Sequence, residues 1–281
     1  MSTSPWQTIT LRDGATLRAR IAGSGTPLLL LGNLVSWEFW HHQIPFFAQH
    51  YRVIAPAYRG RPRPGCSALD ALAADVPDLL ARLGESRALL MGHSIGAMVL
   101  ARLLEQQPQV ARAVVLANGF LWLRLVPPAL HRVARRVQPH LTPLLWTIYP
   151  RLPWVARQLL AFGLLWGTQL IFLRHEPACA KREMFFAYTN TGDGSMIMRL
   201  SAALEYAHPP DLSGARVPVL LVSGAHDTWM QPWERNRLAQ RLPCGTQVVV
   251  AGRGHMTPMV APDVFNTTVL AFFRRVESGM L

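Results

Sequence analysis

LLMGHSIGAMVL (Leu89–Leu100) runs from an apolar stretch, through Gly92-His93-Ser94-Ile95-Gly96, into a helical pattern. The polar serine sits where a buried strand would end and a helix begin. A strand that turns this sharply into a helix crowds its own backbone. Glycines on either side of the serine relieve the crowding because they carry no Cβ. The serine is left at the apex with its hydroxyl exposed. The N–H of Ile95 then falls at a helix N-terminus, aimed at whatever Ser94 attacks. The same pentapeptide also occurs in plain glycine-rich turns, so its weight depends on what flanks it.

The flanks read as alternating strands and helices. Residues 6–14 and 15–23 pattern as an antiparallel hairpin turning at Asp13-Gly14. PLLLLGN (27–33) is a continuous apolar strand of the kind a parallel sheet buries on both faces. A helix around His42–His50, a strand at 51–58, a helix at Leu69–Leu83 stopped by Gly84 and a strand at 87–93 follow. Ile95–Gln106 is the helix after the serine, and 111–118 the next strand. Beyond residue 210 the alternation resumes, with strands at 217–224 and 246–252 and helices at Pro232–Leu242 and Ala261–Val276. Between Phe120 and His208 only helical, proline-punctuated patterns occur, rich in Trp, Leu and Arg. This predicts an α/β chain with a mostly parallel sheet of eight strands, flanked by helices. Residues 1–119 and 210–281 form its core, and 120–209 an inserted helical lid. Such an insert lies over the carboxyl ends of the strands, where open α/β sheets bind ligands.

The 281 residues are half hydrophobic, enough for one large core plus an inserted subdomain. The formal charge of +12 comes from 27 arginines and one lysine. No zinc-finger or RNP-like motif and no compact basic run accompanies it, which argues against nucleic acid. Residues 120–190 alone carry eight Arg and Lys181 against Glu176 and Glu183, a net of +7. That surface suits an anionic lipid or acidic ligand, or is a solvated helix face. Gln158–Leu173 is uncharged but, at 16 residues, short of the ~20 a spanning helix needs, so peripheral membrane contact through the basic lid is the membrane expectation. Cys66, Cys179 and Cys244 give no disulfide or metal pattern, and the first ten residues lack a signal-peptide pattern. Both point to a cytoplasmic protein. His41-His42 has no accompanying carboxylate or thiol motif, so no metal is expected.

A serine hydroxyl needs a base, and the base a carboxylate to orient it. His255, in VVVAGRGHMTPM, lies just past the last strand. Asp227, in VLLVSGAHDTWM, lies just past the strand before it. Each also suits a plain loop role, Asp227 as a turn former and His255 as a satisfied loop histidine. The position after the sixth strand holds Asn118, which cannot supply a charge. The order Ser94, Asp227, His255 is the order belonging to this elbow. His93 and His226 flank these positions and read as structural.

On these residues the chain resembles the α/β-hydrolase fold superfamily in its lidded form, over residues ~6–119 and ~210–277. VIAPAYRG and HMTPMVAPDVFNTTVLAFF are similar to that superfamily's fourth-strand run and its last loop and helix. The resemblance implies a nucleophile, acid and base at Ser94, Asp227 and His255. It also implies an oxyanion hole made by the N–H of Ile95 and one after the third strand. There the usual His-Gly-X is absent from LLLLGNLVSWEFW. Spacing to Trp40 makes Asn33 the donor and strand length makes Leu34 the donor; Asn33 is preferred because it keeps Gly32 where backbone must approach substrate. Without the histidine, support for this loop must come from elsewhere. AYRGRPRPG is a second departure, basic and stiffened by Pro62 and Pro64.

The lid tryptophans Trp122, Trp146, Trp154 and Trp166 are either core or the wall of an apolar acyl pocket. Leu34, Trp122, Trp146, Trp166 and Met256 are the candidate pocket residues. The function implied is cleavage of an ester or thioester of a hydrophobic small molecule through an acyl-enzyme on Ser94, with no cofactor. C–C bond hydrolysis, acyl transfer, or lipid or ligand binding with a vestigial triad remain alternatives, and the oligomeric state stays open.

Overall fold

The computed structural model describes residues 6–33, 37–61, 63, 65–119, 195–205 and 210–281, with 136–137, 140–141, 144–145, 147–157, 159–160, 163, 176–178 and 181–182. Eight strands form one sheet: β1 (Trp6–Thr10), β2 (Thr16–Ala22), β3 (Pro27–Leu31), β4 (Arg52–Pro56), β5 (Ala88–His93), β6 (Ala111–Ala117), β7 (Val219–Gly224) and β8 (Gly245–Val250). Their spatial order is β1-β2-β4-β3-β5-β6-β7-β8. β2 pairs antiparallel with β1 and with β4, and every other pairing is parallel. The expected hairpin turns at Gly14, whose φ of +82° is a conformation glycine adopts without strain.

Helices cover both faces. α1 (Gln43–Phe47) and α7 (Pro262–Glu277) lie on one side; α2 (Ala68–Arg82), α3 (Ile95–Gln106), α4 (Ser195–Glu205) and α5 (Pro232–Gln240) lie on the other. A single turn, α6 (Thr257–Val260), precedes α7. β3 and β5 point side chains to alternate faces, so Leu29, Leu31 and Leu90 join α2 and α3 while Leu28, Leu30 and Met91 join Phe39, Trp40, Phe265 and Phe273. This dual burial explains why both strands are continuous apolar runs. α2 starts at Ser67, whose hydroxyl accepts from the Asp70 N–H at 3.1 Å, and stops at Gly84 with φ +80°. α4 lies within the stretch expected to be lid, yet its Met198, Ala202 and Ala203 pack into the α2–α3 cluster.

In the basic loop after β4, Arg59 and Arg63 are paired internally. Buried Arg59 makes two 2.7 Å contacts with Asp75 on α2 and one of 2.8 Å with Asp13 in the hairpin turn. Arg63 adds ion pairs to Asp13, Asp75 and Asp78. Pro62 and Pro64 lie outside the described residues. This network ties the antiparallel edge of the sheet to α2.

Candidate active site

The parallel register brings Leu31, Gly92 and Leu116 into line across β3, β5 and β6, so the loops after these strands emerge side by side. Those after β7 and β8 emerge at the same edge. Ser94 follows β5 directly and caps α3 with φ +54° and ψ −113°. That is a strained conformation for a residue with a Cβ, one of two positive-φ non-glycine residues among those described. The flanking glycines are required by close approach. A Cβ on Gly92 would sit 2.5 Å from the Gly96 backbone; one on Gly96 would sit 2.1 Å from the Leu31 carbonyl oxygen. The second contact shows how tightly the end of β3 abuts the first turn of α3.

Ser94, Asp227 and His255 meet. The Ser94 Oγ lies 3.0 Å from His255 Nε2. His255 Nδ1 lies 3.1 and 3.2 Å from the two Asp227 oxygens. With Nδ1–H donating to the carboxylate, Nε2 is left to accept from the serine hydroxyl. All three residues are buried. Asp227 Oδ1 also accepts from the N–H groups of Trp229 at 2.8 Å and Met230 at 3.2 Å. Its Oδ2 accepts from Asn118 Nδ2 at 2.8 Å. Burial pushes the Asp227 carboxyl up, but the charge and hydrogen bond of His255, with the donors from Asn118 and Trp229, outweigh it and hold the carboxyl below its ordinary range.

A second layer fixes the loops. The His93 Nε2–H donates to the His255 carbonyl at 2.8 Å, and its ring stacks on Phe39 with centroids 4.1 Å apart. Burial, then the neighbouring His255, holds His93 well below the usual histidine range, so it stays neutral. Asn118 also donates to the Gly254 carbonyl at 3.2 Å. Glu176, buried, accepts from the Met256 N–H at 3.0 Å and ties the region expected to be lid to the His255 loop. The Trp229 ring lies 5.6 Å from that of His255.

The loop after β3 has its own supports. The Tyr58 hydroxyl donates to the Gly32 carbonyl at 2.6 Å, and Arg199 Nη1 donates to the Asn33 carbonyl at 3.3 Å. Arg199 is fully buried, lies over the Tyr58 ring, and is anchored to Ser195 of its own helix, α4. Through these bonds Tyr58 and Arg199 hold the backbone of the loop after β3. Asn33 is buried, and the Leu31 and Gly32 carbonyls just before it abut Gly96 in the first turn of α3, where the Ile95 N–H has no acceptor within its helix.

Leu34, Trp122, Trp146 and Trp166 lie outside the described residues. The Met256 side chain is buried in the apolar cluster beside α1 and α7. His226 is exposed, and the His41 and His42 rings lie 3.9 Å apart, tilted by 44°. No metal-ligating cluster occurs among the described residues. Tyr58, Asn118, Glu176 and Arg199 are support residues the sequence does not single out. Each acts across 26 to 166 positions of chain.

Comparison with known proteins agrees with this fold. The profile of the alpha/beta hydrolase family matches residues 23–268. A relative from Azorhizobium caulinodans, provisionally named carbamate hydrolase RutD, is 26% identical over 94% of this chain and 97% of its own. A thermophilic esterase from Thermogutta terrifontis, solved with malate bound, superposes with a TM-score of 0.73 at 20% identity, covering 97% of this chain and 99% of its own. The enol-lactonase from Burkholderia xenovorans superposes with a TM-score of 0.72 at 20% identity, covering 95% and 100%. The chain belongs to the alpha/beta hydrolase family and is an enzyme of the hydrolase class.

Proposed function

We propose that this hydrolase cleaves an ester or thioester of a hydrophobic small molecule through an acyl-enzyme on Ser94. The observation that carries the reading is the unbroken relay from Ser94 through His255 to a buried, ionised Asp227. His255 takes the Ser94 proton as the oxygen attacks the carbonyl. Asp227 holds the tautomer and stabilises the imidazolium. The N–H groups of Ile95 and Asn33 receive the tetrahedral oxyanion, and each such donor is worth ~10²–10³ in rate. His255 then protonates the leaving group. Water, activated by the same imidazole, hydrolyses the acyl-serine.

The acyl part of the substrate is apolar, and the enzyme works in the cytoplasm. A carbamate is a second reading, favoured by the names of the relatives, because its carbonyl offers the same site of attack and a leaving group. Rates on p-nitrophenyl esters of increasing acyl length, set beside an alkyl carbamate, separate the two. Ester turnover rising with chain length and abolished in Ser94→Ala supports the main reading; turnover surviving in Ser94→Ala refutes it.

Tyr58 and Arg199 orient the oxyanion loop rather than touch substrate. Tyr58→Phe is expected to lower kcat about tenfold, a fraction of the loss of a full oxyanion donor, with KM little changed. Steady-state kinetics with a circular-dichroism control check this; a KM effect without a kcat effect would place Tyr58 elsewhere in the chemistry.

A further inference from the structure

The described residues between 136 and 160 turn an unusual face to solvent. Positions 137, 141, 144, 145 and 148 fall on one stripe of a helical repeat, and all are large and apolar: Val, Leu, Leu, Leu and Ile. In a globular protein such a stripe faces the core. Here all five are exposed, Leu144 to 52%. Trp154, Val155, Leu159 and Leu160 continue the apolar surface, with Trp154 and Leu159 at 66%. Nine of the fourteen exposed large apolar side chains among the described residues lie in this short stretch, and the other five are scattered. A patch of this kind marks an interaction surface.

Charge indicates what it meets. Residues 132–160 contain Arg132, Arg135, Arg136, Arg151 and Arg157 and no acidic residue. Arg136 and Arg151 are exposed within the apolar stretch. A protein partner would need its own acidic rim around an apolar groove, whereas an anionic bilayer offers both features at any point. An exposed tryptophan suits the boundary between headgroups and acyl chains. No helix among the described residues is long and apolar enough to cross a membrane, so the segment would lie on the bilayer.

We infer that residues 136–160 dock the enzyme onto an anionic phospholipid surface, apolar stripe inserted and arginines on the phosphates. An apolar substrate would then partition into the same layer on which the enzyme sits. The docking does not depend on the chemistry proposed at Ser94.

Co-sedimentation with vesicles of phosphatidylcholine alone, or with phosphatidylglycerol added, tests this. Binding is expected to require phosphatidylglycerol and to weaken with salt. Neutralising Arg136 and Arg151 together to Gln is expected to weaken it about 25-fold, at about fivefold per charge. Trp154→Ser or Leu144→Ser is expected to weaken it about tenfold each. Ser94→Ala is expected to bind as the unaltered protein does, so loss of chemistry and loss of docking are read apart. Three results would overturn the inference: no sedimentation with anionic vesicles, equal binding to both vesicle types, or a dimer in sedimentation equilibrium that Leu144→Ser dissociates while vesicles bind nothing.

Discussion

Ser94→Gly is expected to lower kcat about 10⁶-fold, the scale seen when a serine nucleophile is removed from an intact triad, and at the same time to make the protein more stable. The two effects have one origin. Ser94 sits at φ +54°, where a Cβ is strained and glycine is not. The strain is worth on the order of 1–3 kcal/mol, offset in part by the greater freedom of glycine in the unfolded chain. A net gain of about 1 kcal/mol is therefore expected in chemical denaturation. Ser94→Ala removes the same oxygen but keeps the Cβ, so it should match the loss of activity without the gain. A fall in stability for Ser94→Gly would mean that the elbow is not strained.

Asp227→Asn is expected to lower kcat about 10⁴-fold. The Trp229 and Met230 N–H groups fix which side of the new amide is oxygen, because only Oδ1 can accept from both. The amide nitrogen then points at Asn118 and His255. Asn118 can adapt by turning its Oδ1, which is buried without a partner, towards the new NH₂. His255 adapts by accepting at Nδ1, which moves its proton to Nε2, the atom facing Ser94. The serine then meets a donor where it needs an acceptor. A pH signature accompanies the loss. The Asp227 carboxyl is held below its ordinary value in the folded state. Its contribution to stability is therefore complete above the unfolded-state value of about 4 and disappears as pH falls below that. Denaturation of the parent protein should show this acid-side loss, and Asp227→Asn should lack it. An identical acid profile for the two proteins would show that Asp227 is not the group stabilised.

The sequence makes the sheet legible because five of its strands, β3 to β7, are neighbours buried on both faces, which leaves continuous apolar runs between turn residues. α3 begins and ends where the pattern from Ile95 to Gln106 places it. The sharpest reading, the elbow, rests on local backbone geometry, and local geometry is written in adjacent residues. The meeting of Ser94, Asp227 and His255 follows once all three are assigned to the same sheet edge. Side-chain supports are another matter. Asn118 reads in sequence only as a residue unable to supply a charge, yet it braces Asp227 from 109 positions away. Arg199 sits in a proline-rich, strand-poor stretch where nothing local indicates that its helix returns to the core and reaches the loop after β3. Glu176 is one carboxylate in a basic region, and its partner is a backbone N–H 80 residues on. Such contacts depend on packing, and packing leaves no periodic trace.

One strained serine is proposed to become acylated with the help of His255. Incubation with a fluorophosphonate, followed by peptide mass spectrometry, is the decisive experiment. A single adduct is expected on the peptide carrying Ser94, absent in Ser94→Gly and formed far more slowly in His255→Ala. An unlabelled Ser94 in a preparation that still hydrolyses esters, or an adduct on another residue, would rule out Ser94 as the nucleophile.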